Sequence, residues 1–509
     1  MPAVRESTTD SHCPIGLAAV NEGNSPMKAM SEEATGAIPV GAGARIAIIG
    51  GGFTGASVAR NLVTEHGFHG QISIFEPRAA LGSGLAYDTR EPAHRTNVPA
   101  ARMSALPDQR EHFADWIAAN GAVDDDPQAR APDGQIYPQR GLFGRYMGEL
   151  MGPLLESGGV RHIRERVQTV ARQADGWHLS GDNGTIVIAD LLVLAATHPS
   201  PAAPAPIEQS LHGDARYIPD STTPHALDSI QPHERVLIIG TGLTAADVIA
   251  ALRLRGHQGE IVAFSRRGLL SRGHAASRLP PFGDFVSDPS RTALSLLKRV
   301  RVAVRQAAAE AVTWHSVFDA LRAQGAQIWQ ALPVAEKRRL LRHLRRYWEI
   351  HRYRVAPQME ALLDDCLDCG ALTVLAGAIT RIDASGVRIG VEFRYRRSET
   401  VDQQMFDRVV ITTGPAHGSY LKSQSWLSGL KKAGYLTRDS YALGIACDET
   451  GQAIGRDRRP AADLFIAGPL GRGTFGELIG VPEVALNARL IAGEIAKKVQ
   501  ARALPVPNS

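Results

Sequence analysis

Hydrophobic and polar positions along the chain first become regular near residue 45. A continuous apolar run over 45–49 leads into a glycine-rich turn, a helical stretch over 56–65 and a second apolar run over 71–75. Continuous apolar runs are typical of strands that are buried on both faces of a parallel sheet. The pattern therefore predicts a strand, a tight turn, a helix and a second, parallel strand.

The same order of elements returns later in the chain. The apolar run 235–239 leads into a glycine turn, a helix through Leu254 and a further apolar run over 260–264. Alternating, turn-rich sequence follows each unit, over 167–194 and 372–413. Two such units predict an α/β fold with two Rossmann-like dinucleotide-binding domains.

The first glycine turn carries a dinucleotide-binding pattern. Gly50, Gly52 and Gly55 fit GxGxxG, and Glu76 ends the following strand 21 positions beyond Gly55. In this pattern the glycines allow a tight turn, close approach of a pyrophosphate and close helix packing, and the acid accepts hydrogen bonds from a ribose. A carboxylate there repels a 2′-phosphate, so the ligand should be FAD or NAD rather than NADP.

The second glycine turn differs at the ribose position. Gly240, Gly242 and Ala245 form the GxGxxA variant, and the next strand ends in Ser265, Arg266 and Arg267 rather than in an acid. A hydroxyl and two guanidiniums suit a 2′-phosphate, because arginine offers a fixed charge and a fork of donors. This site is predicted to prefer NADPH.

These units set the expected domain organisation. We expect a discontinuous FAD-binding domain with an inserted NADPH-binding domain that also carries a helical block. The expected segments are 1–43 as a disordered extension, 44–230 as the first part of the FAD-binding domain, 231–370 as the NADPH-binding domain with its helical block over 290–367, and 371–509 as the second part of the FAD-binding domain.

Composition narrows the class of protein only by exclusion. Over 509 residues the formal net charge is +4, which gives no support to nucleic-acid or membrane-surface binding. No apolar run reaches the roughly 18 residues of a transmembrane helix. Four cysteines are too few for a disulfide framework, so we expect a cytoplasmic protein.

Several further motifs carry a resemblance to a known family. They are GSGLAY over 82–87, TNVPAARMS over 96–104, FADW over 113–116, WEIHRYR over 348–354 and GELIGVPE over 476–483. Together with the paired glycine turns, these segments resemble the FAD/NAD(P)-binding protein family of two-dinucleotide-binding flavoproteins, which includes FAD-dependent urate hydroxylase and FAD-dependent aspartate N-monooxygenase. The resemblance covers about 45–498. One departure is Thr197, which stands where such proteins usually have a glycine.

The resemblance implies a set of cofactor-binding residues. Asn97 and Met103 should lie near the flavin, and Gly468 should approach its ribityl and pyrimidine end. The full predicted set is Gly50, Gly52, Phe53, Thr54, Gly55, Glu76, Asn97, Met103, Gly414 and Gly468 for FAD, and Gly240, Gly242, Ala245, Ser265, Arg266 and Arg267 for NADPH.

The activity implied by this resemblance is that of an FAD-dependent, NADPH-reduced monooxygenase. It would hydroxylate a small polar nitrogenous substrate, urate-like or an amino acid, through a flavin C4a-hydroperoxide formed with O₂. Arg352 and Arg354 are weak candidates to bind an anionic substrate, since arginine binds carboxylates bidentately. The residues identify neither a metal site nor a catalytic residue.

Two other classes of function stay open at this point. The first is a flavin-dependent NADPH reductase, acting in electron transfer or on disulfides through Cys366 and Cys369, which have the spacing of a redox pair. The second is a non-enzymatic redox sensor that binds FAD.

Overall fold

The computed structural model describes residues 43–196, 198–277, 279–396 and 400–503. The predicted extension over 1–43 lies outside them except for Gly43, and Thr197 lies outside them as well.

The strands and helices are numbered in chain order. The strands are β1 Arg45–Ile49, β2 Gln71–Phe75, β3 Val160–Ile163, β4 Val167–Gln173, β5 Gly176–Gly181, β6 Ile186–Ala189, β7 Leu191–Leu194, β8 Tyr217–Ile218, β9 Val236–Ile239, β10 Ile261–Ser265, β11 Leu372–Asp383, β12 Ile389–Tyr395, β13 Val401–Phe406, β14 Arg408–Ile411, β15 Gln452–Ile454 and β16 Pro460–Ile466. The helices are α1 Phe53–Thr64, α2 Gly84–Tyr87, α3 His112–Ala119, α4 Arg140–Glu156, α5 Ala205–Leu211, α6 Leu243–Leu254, α7 Ala293–Ala309, α8 Trp314–Ala323, α9 Gly325–Ala331, α10 Val334–His343, α11 Arg345–Arg352, α12 Pro357–Asp368, α13 Ser425–Ala433, α14 Arg472–Phe475 and α15 Val481–Ala503.

The first sheet has the strand order β15-β16-β7-β1-β2-β3. All neighbours pair in parallel except β15, which runs antiparallel to β16. β1 and β7 are almost wholly buried because helices and loops cover both faces of the sheet, as the continuous apolar runs predict. A separate antiparallel sheet of β4, β5 and β6 packs nearby.

The second sheet has the order β13-β12-β11-β10-β9-β14-β8. β9, β10, β11, β14 and β8 form its parallel part, and β12 and β13 add an antiparallel ribbon. Two parallel sheets, each opened by a glycine turn, confirm the α/β fold with two Rossmann-like units.

The expected segment boundaries differ from this strand pairing. β8 lies before residue 231 and β11 to β14 lie after 371, yet all of them belong to the second sheet. The reason is that α12 crosses over between β10 and β11, so that Ile261–Ser265 and Leu372–Ala376 pair in parallel register. The chain returns to the core of the first unit near Tyr420.

The helical block comprises α7 to α12, from Ala293 to Asp368. Its apolar side chains form a core of their own around Leu296, Val317 and Leu332. α12 instead packs on α6 of the second Rossmann-like unit. Among the described residues, no helix is both long and apolar enough to cross a membrane.

Candidate active site

The first glycine turn has the geometry that its sequence predicts. Gly50 has φ +99°, and a Cβ there would lie 2.5 Å from the carbonyl oxygen of Ala195. A Cβ on Gly55 would overlap the carbonyl oxygen of Gly50. Gly50 therefore allows the turn, and Gly55 allows α1 to pack against it. A Cβ on Gly52 would lie 3.2 Å from the Cα of Gly84, so a glycine at position 52 leaves room for the first residue of α2.

Glu76 lies beside this turn at the end of β2. It is 4% exposed, its Oε2 accepts a hydrogen bond from the backbone N–H of Gly51 at 3.1 Å, and its Oε1 accepts one from Arg78 at 3.0 Å. The carboxylate is thereby fixed at the rim of the turn, which is where the pattern places the ribose of an adenosine.

The second glycine turn repeats the geometry of the first. Gly240 has φ +132°, and a Cβ there would lie 2.8 Å from the backbone oxygen of Thr412 on the neighbouring strand. Ala245 occupies the position of Gly55 and is fully buried with its methyl group accommodated. Gly414 follows β14 beside this turn, so it belongs to the second sheet and not to the first as expected.

Three polar residues follow the second turn where Glu76 follows the first. Ser265 accepts hydrogen bonds from the hydroxyl of Thr241 at 3.0 Å and from the N–H of Gly268 at 2.9 Å. Arg266 is exposed, and Arg267 lies over the ring of Tyr347 at 4.9 Å. The basic pair is accessible at the edge of the sheet, and its contact with phosphate stays a prediction.

Both glycine turns present a helix N-terminus that no side chain caps. Gly52 and Gly242 are the N-cap residues of α1 and α6, and neither helix has a side-chain cap hydrogen bond. The first N–H groups of each helix are therefore available to an anion such as a pyrophosphate. With the buried carboxylate of Glu76, the first turn fits an adenine dinucleotide, and the second fits a phosphorylated one.

The C-terminal segment closes over the first turn. Gly468 has φ +68°, and a Cβ there would lie 2.5 Å from the hydroxyl oxygen of Thr54 on α1. The N–H of Gly468 donates to Asn487 Oδ1 of α15 at 2.8 Å. The structure thus brings Thr54 and Gly468 together, although 414 positions separate them along the chain.

The remaining predicted FAD residues make packing contacts or backbone hydrogen bonds within the chain. Phe53, the first residue of α1, is buried, and its ring centroid lies 5.6 Å from that of Phe143. Met103 is 4% exposed and belongs to the first core. Asn97 is partly exposed, and its carbonyl oxygen accepts a hydrogen bond from His274 Nε2 at 3.0 Å.

His274 connects the second Rossmann-like unit to the first, and no sequence motif predicted this contact. It comes from the segment after β10 and contacts the first unit through Asn97 and the ring of Tyr137. A polar cavity of about 30 Å³ adjoins it and is also bordered by His315 and Asp319 of the helical block. Burial lowers the pKa of His274 to about 4, so the ring is neutral near pH 7.

An ion pair fixes the two Rossmann-like units against each other. Both Nη atoms of Arg140, at the start of α4, bond the carboxylate of Asp247 on α6, at 2.8 and 2.9 Å. Bidentate pairs of this kind hold a defined geometry. No sequence motif marks this pair, because its members lie 107 residues apart.

Both arginines that were predicted to bind substrate have carboxylate partners within the chain. Arg352 lies 2.8 Å from Glu477, and Arg354 lies 2.9 Å from Asp319. Their side chains are only 8% and 7% exposed. Neither guanidinium is therefore an uncompensated charge for an anionic substrate. The charges that oppose them come from Asp319 in α8 and from Glu477 in the C-terminal segment.

Cys366 and Cys369 lie far from the predicted dinucleotide turn. Both are free thiols at the end of α12, directly before β11 begins. They therefore lie at the amino edge of the second sheet, whereas Gly240 lies at the carboxyl edge. Burial raises the pKa of Cys366, which disfavours a reactive thiolate. Among the described residues, no cluster of His, Cys, Asp or Glu could hold a metal ion.

Comparison with known proteins agrees with this geometry. Residues 47–199 match a family model described as FAD-NAD(P)-binding. The match spans the first glycine turn and both strands that pair with β1, namely β2 and β7. No curated protein matches the sequence.

Solved structures of similar fold cover nearly the whole chain. Ornithine hydroxylase from Pseudomonas aeruginosa is 14% identical with a TM-score of 0.61, and the alignment covers 90% of this chain and 100% of that one. L-lysine 6-monooxygenase from Pseudomonas syringae is 19% identical with a TM-score of 0.59, covering 91% and 100%. Kutzneria ornithine N-hydroxylase, solved with reduced FAD, NADP⁺ and L-ornithine, is 16% identical with a TM-score of 0.58, covering 91% and 100%. At these identities the likeness establishes the fold.

Proposed function

We propose that this chain is an FAD-dependent monooxygenase, reduced by NADPH, that hydroxylates the nitrogen of a small amine. The observation that carries the proposal is the pair of glycine turns with opposite charges after them. A buried carboxylate follows the first turn, and the exposed Arg266 and the half-buried Arg267 follow the second. One chain thus offers an FAD site beside an NADPH site.

The overall reaction balances as R–NH₂ + O₂ + NADPH + H⁺ → R–NHOH + NADP⁺ + H₂O. Bound FAD would carry the electron pair from NADPH to oxygen. The chain's own part is to hold the two dinucleotides and exclude water. Gly50–Gly55 and Glu76 would hold FAD, and Ser265–Arg267 would hold the 2′-phosphate of NADPH. The ion pair of Arg140 with Asp247 keeps the two sites in register.

Two observations support this class over the alternatives. The similar folds named above are those of amine hydroxylases, so an amine is preferred to urate as the substrate. A disulfide reductase would need its thiols beside the flavin, whereas Cys366 and Cys369 lie at the opposite edge of the second sheet.

The test is a coupling measurement on the protein purified with its flavin. NADPH oxidation and ¹⁸O incorporation from ¹⁸O₂ are followed with octylamine, L-ornithine, L-lysine, cadaverine, L-aspartate and urate. We expect one labelled oxygen in the product for each NADPH consumed with at least one amine. Formation of hydrogen peroxide alone with every compound would contradict the proposal and favour a reductase. Flavin that NADPH leaves oxidised would favour a sensor.

A further inference from the structure

The helical block borders a cavity whose lining includes none of the predicted dinucleotide-binding residues. Its volume is about 210 Å³, and its wall is almost wholly apolar, with side chains such as Leu296, Val300, Phe318 and Leu332. These residues belong to the separate core of the block. Pockets of this character bind apolar groups and orient them with a few polar contacts.

The polar contacts lie together at one side of the cavity. Four charged residues border it, namely Arg345, Glu349, Arg472 and Glu477. Glu349 is already satisfied, since it accepts a hydrogen bond from Arg345 Nε at 2.6 Å. Arg472 and Glu477 belong to the segment that follows Gly468. The charged side of the cavity is therefore formed in part by the segment that follows Gly468, the residue predicted to approach the flavin.

Glu477 Oε1 is paired with Arg352 by charge but accepts no well-aligned hydrogen bond from the described residues. Its side chain is 11% exposed, and its Oε1 lies 2.8 Å from Arg352 Nη2. The two atoms are not aligned as a hydrogen bond, and no other donor among the described residues meets Oε1. A buried carboxylate oxygen without an aligned donor is costly, and an incoming N–H group would satisfy it.

We propose that this cavity binds the substrate, and that the substrate is an amine with an apolar body rather than a small polar compound. The aliphatic or aromatic body would occupy the apolar wall, and the amino group would donate to Glu477 Oε1. This inference rests on the proposed function, because it places the nitrogen toward the flavin. It predicts a substrate class different from ornithine, aspartate or urate, whose second polar groups would lose water without gaining partners.

The first test is equilibrium binding of primary n-alkylamines from butylamine to decylamine to the oxidised, FAD-loaded protein, measured by calorimetry. The dissociation constant should fall about three- to fourfold for each added methylene until the cavity is full. L-Lysine and L-aspartate should bind at least tenfold more weakly than octylamine. Absence of alkylamine binding, or affinity independent of chain length, would overturn the inference.

A matched pair of variants on α7 locates the binding. Val300 lines the cavity, whereas Val302 on the same helix is 42% exposed. Val300→Phe should weaken decylamine binding at least tenfold while leaving butylamine nearly unchanged, because the added ring shortens the space available. Val302→Phe should leave the whole series unchanged. Equal effects of the two variants, or none from Val300→Phe, would contradict the location.

Glu477→Gln tests the polar end separately. It should raise the dissociation constants of all the amines by about ten- to a hundredfold, and keep the dependence on chain length. The corresponding n-alkanols should be affected much less. An equal loss for amines and alkanols would contradict the role of Glu477.

Turnover separates this inference from the proposed function. If alkylamines bind as described but NADPH oxidation yields no hydroxylamine, the cavity assignment stands and the monooxygenase proposal falls. If L-ornithine is hydroxylated while alkylamines do not bind, the monooxygenase proposal stands and the cavity assignment falls.

Discussion

The two glycine turns share a backbone and differ in the charge that follows it. Gly50 and Gly240 both adopt positive φ, and both turns end in a glycine N-cap without side-chain capping. Beyond that, Glu76 is buried and bonded to its turn, whereas Arg266 is exposed. The backbone of each turn thus suits a pyrophosphate, and the residues at the ends of β2 and β10 are what would distinguish one dinucleotide from the other.

The largest effect on stability is expected at the last small residue of each glycine pattern, which is Gly55 in the first turn and Ala245 in the second. Gly55→Ala would place a methyl group against the carbonyl oxygen of Gly50. It should lower the free energy of unfolding by about 3 kcal/mol, or yield protein that does not retain FAD. The reciprocal Ala245→Gly should cost only about 1 kcal/mol, because that site already holds a methyl group. Urea unfolding and the flavin content of the purified proteins measure both. Comparable losses would show that the two turns are not packed differently.

The next effect concerns the choice of nicotinamide cofactor. Arg266→Ala removes an exposed guanidinium, and should raise the dissociation constant for NADPH about ten- to a hundredfold. Binding of NADH should change little, since it lacks the 2′-phosphate. Arg267→Ala should also weaken NADPH binding but by a smaller factor, because that guanidinium lies over the ring of Tyr347. Titration with both nucleotides is the measurement, and equal losses for NADPH and NADH would exclude the 2′-phosphate assignment.

A smaller effect is expected from the carboxylate of the first turn. Glu76→Gln preserves the shape of the side chain but removes its charge, so FAD affinity should fall about tenfold. NADPH affinity should be unaffected. Fluorescence titration of the flavin-free protein with FAD measures this change. A loss of NADPH affinity with FAD affinity unchanged would reverse the assignment of the two turns.

The smallest effect is expected from the cysteines. Cys366→Ser with Cys369→Ser should leave NADPH-dependent flavin reduction within about twofold of the parent protein, since both thiols lie at the edge of the second sheet away from Gly240. Stopped-flow reduction rates test this. Loss of turnover without loss of stability would restore the disulfide reductase as a candidate.

Local features of the site could be predicted from sequence, and long-range ones could not. The glycine turns depend on residues that are neighbours in the chain, so spacing alone identified Gly50, Gly55 and Glu76. The sequences of β11 and β14 predict buried strands, but a buried apolar run does not indicate which of two parallel sheets it joins. The expected boundary at 371 therefore differed from the observed strand pairing. The partner of Arg352 could not be predicted either, because Glu477 lies 125 positions further along the chain.

The central claim is that NADPH in the second site reduces FAD in the first. This is tested most directly by anaerobic stopped-flow mixing of the FAD-loaded protein with NADPH and, separately, with NADH. The loss of the oxidised flavin's absorbance is followed at about 450 nm. We expect both nucleotides to bleach the flavin, with half-saturation at a concentration at least about tenfold lower for NADPH. Equal half-saturation for the two nucleotides, or flavin that neither reduces, would contradict it.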